Sequence, residues 1–281
     1  MRPSRVKAKL QRGEPALVTC LHFVDPSLYE LTSVMGFDAI WMDLEHHATN
    51  QETAAGLMRA ARVGVSDILV RPAKGEYMRM CRLLEAGAHG IMYPRCDHAA
   101  EAREVVRWMK FAPLGTRGFD GAGADASYCS MPMAAYIAAA NAETFLVIQL
   151  EEQASVDRAE EIAAVPGVDV LMFGPADFSV LGGFPGSFDH PTIQAAVQKV
   201  AAAARNQGKH WGTPAFSVDH ARQLMELGAR MHFHMADIIL VRRGLQSIQQ
   251  QFAPLGFTFD HPSTPSRSGL DGPAAPVGAK P

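Results

Sequence analysis

Four short polar clusters close apolar runs in this chain, and together they hold the groups that could do acid, base or Lewis-acid chemistry. They are Asp43-Leu44-Glu45-His46-His47, Val70-Arg71-Pro72, Gln149-Leu150-Glu151-Glu152 and Gly174-Pro175-Ala176-Asp177. Buried without partners, carboxylates, imidazoles and a guanidinium would each cost several kcal/mol. Carboxylates that converge with imidazoles are the usual surroundings of a hard divalent cation. Each group also has a plainer reading. Asp43 and Glu45 suit the first turn of a helix, and Arg71 could close a rim ion pair. His46 and His47 are adjacent and so point in different directions, His47 being the more ordinary loop residue. Of Glu151 and Glu152, which open a helical stretch, at most one reaches inward. The Gly174-Pro175 turn could be only a tight strand exit, although the N–H groups after it also suit an anion.

The elements that would carry these clusters alternate regularly. Apolar or β-branched runs at 16–21, 39–43, 68–71, 90–93, 145–149, 168–173, 210–214 and 231–235 read as strands. Segments of helical period separate them, such as 51–63 and 77–86, the latter stopped by Gly87. Strands joined through helices run parallel. Eight such units in about 250 residues match a closed (β/α)8 TIM barrel, with a doubly wound open sheet as the alternative. In a barrel, active sites gather at the C-terminal ends of the strands, where all four clusters fall.

Two stretches break the alternation. Residues 111–141 are rich in Gly, Ala, Ser and Met and read as a functional loop followed by a short helix at 132–140. Residues 260–281 are dominated by Pro, Ser, Gly and Ala and are expected to be disordered, which leaves 1–259 as a single catalytic domain. A 48% hydrophobic and 20% charged composition excludes a fibrous or mostly disordered protein. With a net charge of −3 and no basic stripe, nucleic acid is not an expected partner. No apolar stretch approaches the roughly 18 to 20 residues of a membrane span. The basic start leads into Gln11, Gly13, Glu14 and Pro15 instead of an apolar run, so a cytoplasmic protein without membrane contact is expected. The four cysteines form no C-x-x-C pair and read as reduced thiols. Gly121-Ala122-Gly123-Ala124-Asp125-Ala126 mimics a dinucleotide fingerprint but follows no strand. No lysine falls inside or at the C-terminal end of a strand, which disfavours Schiff-base catalysis.

Five motifs recur in one order and spacing: Gly36-Phe37-Asp38 leading into Asp43-Leu44-Glu45-His46, Val70-Arg71-Pro72, Pro113-Leu114-Gly115-Thr116-Arg117-Gly118, Gln149-Leu150-Glu151, and Gly174-Pro175-Ala176-Asp177-Phe178-Ser179. Over roughly residues 6–257 the chain thereby resembles the metal-dependent 2-oxo acid aldolases of the HpcH/HpaI family, within the phosphoenolpyruvate/pyruvate barrel superfamily. The resemblance implies that Glu151 and Asp177 hold a divalent metal and that His46 with Asp43 forms the acid/base pair. It implies that Arg71 contacts the developing enolate and that Gln149 lies beside the bound oxo acid. Arg117 joins the substrate-binding set, against its plainer reading as an exposed loop residue. A 2-oxo acid chelates through its carboxylate and ketone, so two protein carboxylates, substrate and water complete an octahedral oxygen site suited to Mg, Mn or Co. The helix start at Ala176 and Asp177 can receive the substrate carboxylate.

The expected activity is reversible retro-aldol cleavage of a 4-hydroxy-2-oxo acid to pyruvate, or a close analogue, and an aldehyde. Oxaloacetate decarboxylation, a citrate-lyase-like C–C cleavage and a noncatalytic oxo-acid-binding barrel are the rivals. Two departures from the family pattern stand out. Met235-Ala236-Asp237 replaces a Gly-x-Asp stretch after the last strand, and Phe119-Asp120-Gly121-Ala122-Gly123 leaves the acceptor preference open. His232 and His234 alternate along that strand and are expected to face the interior as a hydrogen-bonded structural pair. Finally, 238–252 carries Leu240, Val241, Leu245, Ile248 and Phe252 on one helical stripe that must be buried on its own barrel or a neighbour's. The family's habit of exchanging this helix implies a homo-oligomer, a hexamer built as a trimer of dimers.

Overall fold

In the computed structural model, which describes residues 1–259, eight parallel strands close into a barrel in sequence order. They are β1 (Ala16–Leu21), β2 (Ala39–Asp43), β3 (Asp67–Arg71), β4 (Gly90–Tyr93), β5 (Phe145–Leu150), β6 (Val170–Phe173), β7 (His210–Pro214) and β8 (Met231–Ala236), and β8 pairs back onto β1. The open-sheet alternative is thereby excluded. The tail expected to be disordered, 260–281, lies outside the described residues.

Side chains alternate across each strand, so every second residue points into the barrel. Val18, Trp41, Leu69, Met92, Val147, Met172 and Phe233 form the inner cluster, and Val6 and Leu10 from the helix Arg5–Gln11 close its N-terminal end. One step of two further along each strand, the same series reaches Asp43 on β2, Arg71 on β3 and Gln149 on β5. Barrel closure and strand parity therefore aim these three polar side chains into one mouth. The other parity packs against the surrounding helices in a second, larger cluster.

The stretch 111–141 departs from its expected role. Lys110 Nζ donates to the Asn141 and Thr144 carbonyls and to Thr144 Oγ1, immediately before β5 begins. This ties the loop, and the helix Met133–Glu143 that follows it, to the N-terminal end of the barrel. The final helix, Asp237–Phe252, leaves the barrel instead of covering it. Leu240, Val241, Leu245, Ile248 and Phe252 are each 43–58% exposed, and Asp237 is the helix's only buried residue. Among the described residues, no helix is long and apolar enough to cross a membrane.

Candidate active site

Register brings Asp43 and Arg71 side by side on β2 and β3. Arg71 Nε donates to Asp43 Oδ1 at 2.9 Å and Nη2 to Oδ2 at 2.7 Å, a two-pronged pair in which both residues are buried. Glu45 Oε2 lies 3.2 Å from the same Nε, and the guanidinium stacks 4.7 Å over the Trp41 ring. Burial alone would raise the Asp43 carboxyl, but hydrogen bonds from Arg71 outweigh it and hold the group below the usual carboxylate range. Burial likewise works to lower Arg71, and Asp43 and Glu45 reverse it.

The expected His46–Asp43 pair is not formed. Both Asp43 oxygens are taken by Arg71, and the nearer imidazole is that of His47, Nε2 at 3.8 Å from Oδ2. His46 is the more exposed of the two, 60% against 38%, with Nε2 3.5 Å from Glu45 Oε2. The reason is local: the chain turns directly after β2, which swings the fourth residue after Asp43, not the third, back over it.

Across the mouth, Glu151 is buried beside Asp177, and Glu152 turns outward to Arg95 Nη2 at 2.9 Å. The Arg95 backbone N–H donates to Glu151 Oε2 at 3.0 Å, from a residue held at φ 48°, and Gln149 Nε2 donates to Oε1 at 3.2 Å. A Cβ at Gly174 would stand 2.5 Å from Glu151 Cγ, so only glycine leaves room for this carboxylate at the exit of β6. Burial, then the neighbouring Asp177 charge, pushes the Glu151 carboxyl up to about 7. Burial also raises Glu45. A buried carboxylate repelled by another, beside the unpartnered Gln149 Oε1, fits a divalent cation with oxygen ligands. Among the described residues no group of three or more His, Cys, Asp or Glu is set around a metal, so substrate and water would supply the remaining ligands.

The third side of the mouth was not foreseen. A cavity of about 300 Å³ opens between β1, β2 and β8, walled by Trp41, Phe216, Phe233 and Ile239, and it reaches Asp43 and Arg71. Into it projects His22, the residue directly after β1, whose Nδ1 lies 3.2 Å from Asp237 Oδ1. Asp237 also accepts from the backbone N–H groups of His22, Phe23 and Ile238, and these bonds, with His22, overcome burial and keep its carboxyl low. The sequence signal was available, since His22 closes β1 as the other clusters close their strands. Arg95 was missed because it contributes only its backbone. Met235, where the family pattern has glycine, sits at φ 61°, a left-handed conformation that glycine adopts without strain.

Two further expectations are corrected. Arg117 does not reach the mouth: it is buried at the opposite end, with Nη2 donating to Asp125 Oδ2 at 2.9 Å and to Tyr136 Oη at 3.0 Å. Its backbone is fixed to Lys110, which is anchored before β5. His232 and His234 do not form an interior pair. Met231 and Phe233 hold the inward positions, so His232 faces the outer layer, whereas His234 Nδ1 donates to the Ala215 carbonyl at 2.6 Å on the cavity rim. Among the described residues, no lysine lines the cavity at the mouth, and Lys74 on the rim is tied to the Arg95 carbonyl and Asp97; buried Lys110, lowered by burial to about 8, lies at the other end.

Comparison with known proteins agrees with this geometry. The model of the HpcH/HpaI aldolase/citrate lyase family matches residues 21–243. A hydroxypyruvate/pyruvate aldolase of Pseudomonas aeruginosa is 32% identical over 89% of this chain and 92% of its own. A 4-hydroxy-2-oxo-heptane-1,7-dioate aldolase of Escherichia coli is 30% identical over 88% and 94%. The crystal structure of an HpcH/HpaI aldolase/citrate lyase family protein from Burkholderia cenocepacia J2315 superposes with a TM-score of 0.82 at 31% identity, over 89% of this chain and 99% of that one.

Proposed function

Because this chain belongs to the HpcH/HpaI aldolase/citrate lyase family, we propose that it is a class II aldolase that reversibly cleaves a 4-hydroxy-2-oxo acid to pyruvate, or a close analogue, and an aldehyde. The observation that carries the reading is a buried Glu151, repelled by the half-buried Asp177, facing a buried Arg71 across one barrel mouth. Aldolases of this family are generally dependent on a divalent metal, and Glu151 with Asp177 would hold it here, as Mg, Mn or Co. Such an ion supplies Lewis acidity toward the ketone of a chelating oxo acid.

The protein's own groups do the rest. Arg71, fixed by Asp43 and stacked on Trp41, keeps a positive charge where negative charge develops on the oxo acid, so little reorganisation is needed during reaction. Gln149, on β5 two residues before Glu151, orients the carboxylate ligand and leaves its own carbonyl oxygen toward the oxo acid. Ala176 and Asp177 line the carboxylate end of the substrate. His46, exposed beside Glu45, moves protons between the site and solvent, and Asp43 acts on it only through the shared Arg71–Glu45 cluster. The outward apolar helix Asp237–Phe252 supports exchange between subunits of a homo-oligomer, a hexamer built as a trimer of dimers.

Calorimetric titration with Mn separates ligands from catalysts. Glu151→Ala and Asp177→Ala should lose tight metal binding together with turnover. His46→Ala should keep the metal and lose turnover by on the order of 10². A metal affinity that collapses in His46→Ala would make His46 a ligand and overturn these roles.

A further inference from the structure

We propose that His22, held by Asp237, is the acid/base group for the oxygen of the acceptor aldehyde. This deepens the aldolase reading above and rests on it. Arg71 serves the oxo-acid half of the substrate, where an ion held by Glu151 and Asp177 would supply Lewis acidity, but cleavage also requires that the C4 hydroxyl lose its proton. Of the groups assigned so far, only Asp43 and Arg71 border the space in which C4 and its substituent would lie, and they are paired with each other. The cavity between β1, β2 and β8 is that space: it begins at Asp43 and Arg71 and extends away from Glu151 between apolar walls.

Four observations single out His22 in it. Its side chain is 26% exposed, open to the cavity yet shielded from bulk water on most sides. Its Nδ1 faces Asp237 Oδ1 at 3.2 Å. Asp237 is a carboxylate with 2% side-chain exposure, fixed by three backbone N–H groups, so it can only accept, and the Nδ1 position carries the proton. That leaves Nε2 as the free lone pair, and its one neighbour is the Cys20 thiol at 3.7 Å, a weak donor that a substrate hydroxyl can displace. The His22 ring also meets His47 edge-on at 4.6 Å, and His47 reaches Asp43, so the imidazole is locked between the cavity and the Arg71 cluster. An oriented carboxylate–imidazole pair opening on a substrate pocket is the arrangement of a general base.

The step balances without a further reactant. The C4 hydroxyl gives its proton to His22 Nε2, its O–H electrons become the new carbonyl π bond, and the C3–C4 pair passes to the oxo acid as its enolate. The proton then reaches C3 by way of solvent as the enolate is quenched. In the synthetic direction, the imidazolium returns it to the aldehyde oxygen.

The test compares two reactions of the metal-loaded enzyme: cleavage of 4-hydroxy-2-oxopentanoate, and exchange of pyruvate methyl protons with D₂O followed by ¹H NMR, which needs no acceptor. In His22→Gln the ratio of cleavage to exchange should fall by about 10²-fold, as for loss of a general base. Asp237→Asn should reduce the same ratio, and ¹⁵N NMR of His22 should move from the Nδ1-protonated to the Nε2-protonated tautomer. A ratio that stays constant in His22→Gln, whether both reactions fall together or neither does, overturns the inference and leaves the aldolase reading standing. Absence of exchange in the unaltered enzyme would instead overturn the pyruvate reading, and this inference with it.

Discussion

Glu151 should make the metal-free protein less stable than it could be, and replacing it by Gln measures by how much. Its carboxyl is carried from an ordinary 4.5 up to about 7 by burial and by Asp177. At 1.36 kcal/mol per tenfold, holding it ionised costs the fold about 3 kcal/mol once the pH is above both values. The sign follows from the raised value. The folded state prefers the protonated acid, so its full stability is present below 4.5 and is lost as the pH climbs through about 7. Gln keeps the shape and the donor–acceptor character without the charge. In EDTA at pH 8, Glu151→Gln should therefore melt higher by about 6–12 °C, taking 2–4 °C per kcal/mol for a chain of this size. At pH 5 most of that gain should vanish. Added Mn should raise the melting temperature of the unaltered protein and leave the variant where it was. Scanning calorimetry at the two pH values decides the matter. A variant no more stable than its parent at pH 8 would mean that Glu151 carries no strain to be relieved by a cation.

The same carboxyl predicts that metal binding weakens in mild acid: Mn affinity by titration calorimetry should fall by about tenfold from pH 8 to pH 6, because a proton competes for Glu151. A pH-independent affinity would remove Glu151 from the ligand set. The exposed stripe on Asp237–Phe252 predicts a second, separate effect: by light scattering the unaltered protein should have the mass of the proposed oligomer and Leu245→Glu that of a monomer. An unaltered protein that is monomeric and fully active would refute the exchanged-helix assembly.

Much of the fold was legible because strand, helix and strand repeat with few exceptions, and the period-two pattern of a buried strand fixes which side chains enter the barrel. Asp43, Arg71, Gln149 and Glu151 could be read together because they end strands on the inner parity. Three things were less legible. Partner choice between His46 and His47 depends on how the backbone turns after Asp43, which two adjacent histidines do not specify. Arg117 belongs to a loop whose direction is set by Lys110 and Thr144 at the far end of the barrel, a contact spanning 34 residues in sequence. The Asp237–His22 pair spans 215 residues and exists only because β8 closes onto β1. Each member has a local signal, His22 closing β1 and Asp237 following β8, but their pairing could be read only once barrel closure was assumed.

A metal-dependent aldolase without a Schiff base is tested most directly by cleavage of 4-hydroxy-2-oxopentanoate after exhaustive chelation, with pyruvate release followed continuously. Activity should disappear on chelation and return with Mg, Mn or Co, and borohydride should trap no adduct with the enzyme. Full activity in the chelated protein, together with an imine captured by borohydride, would contradict it.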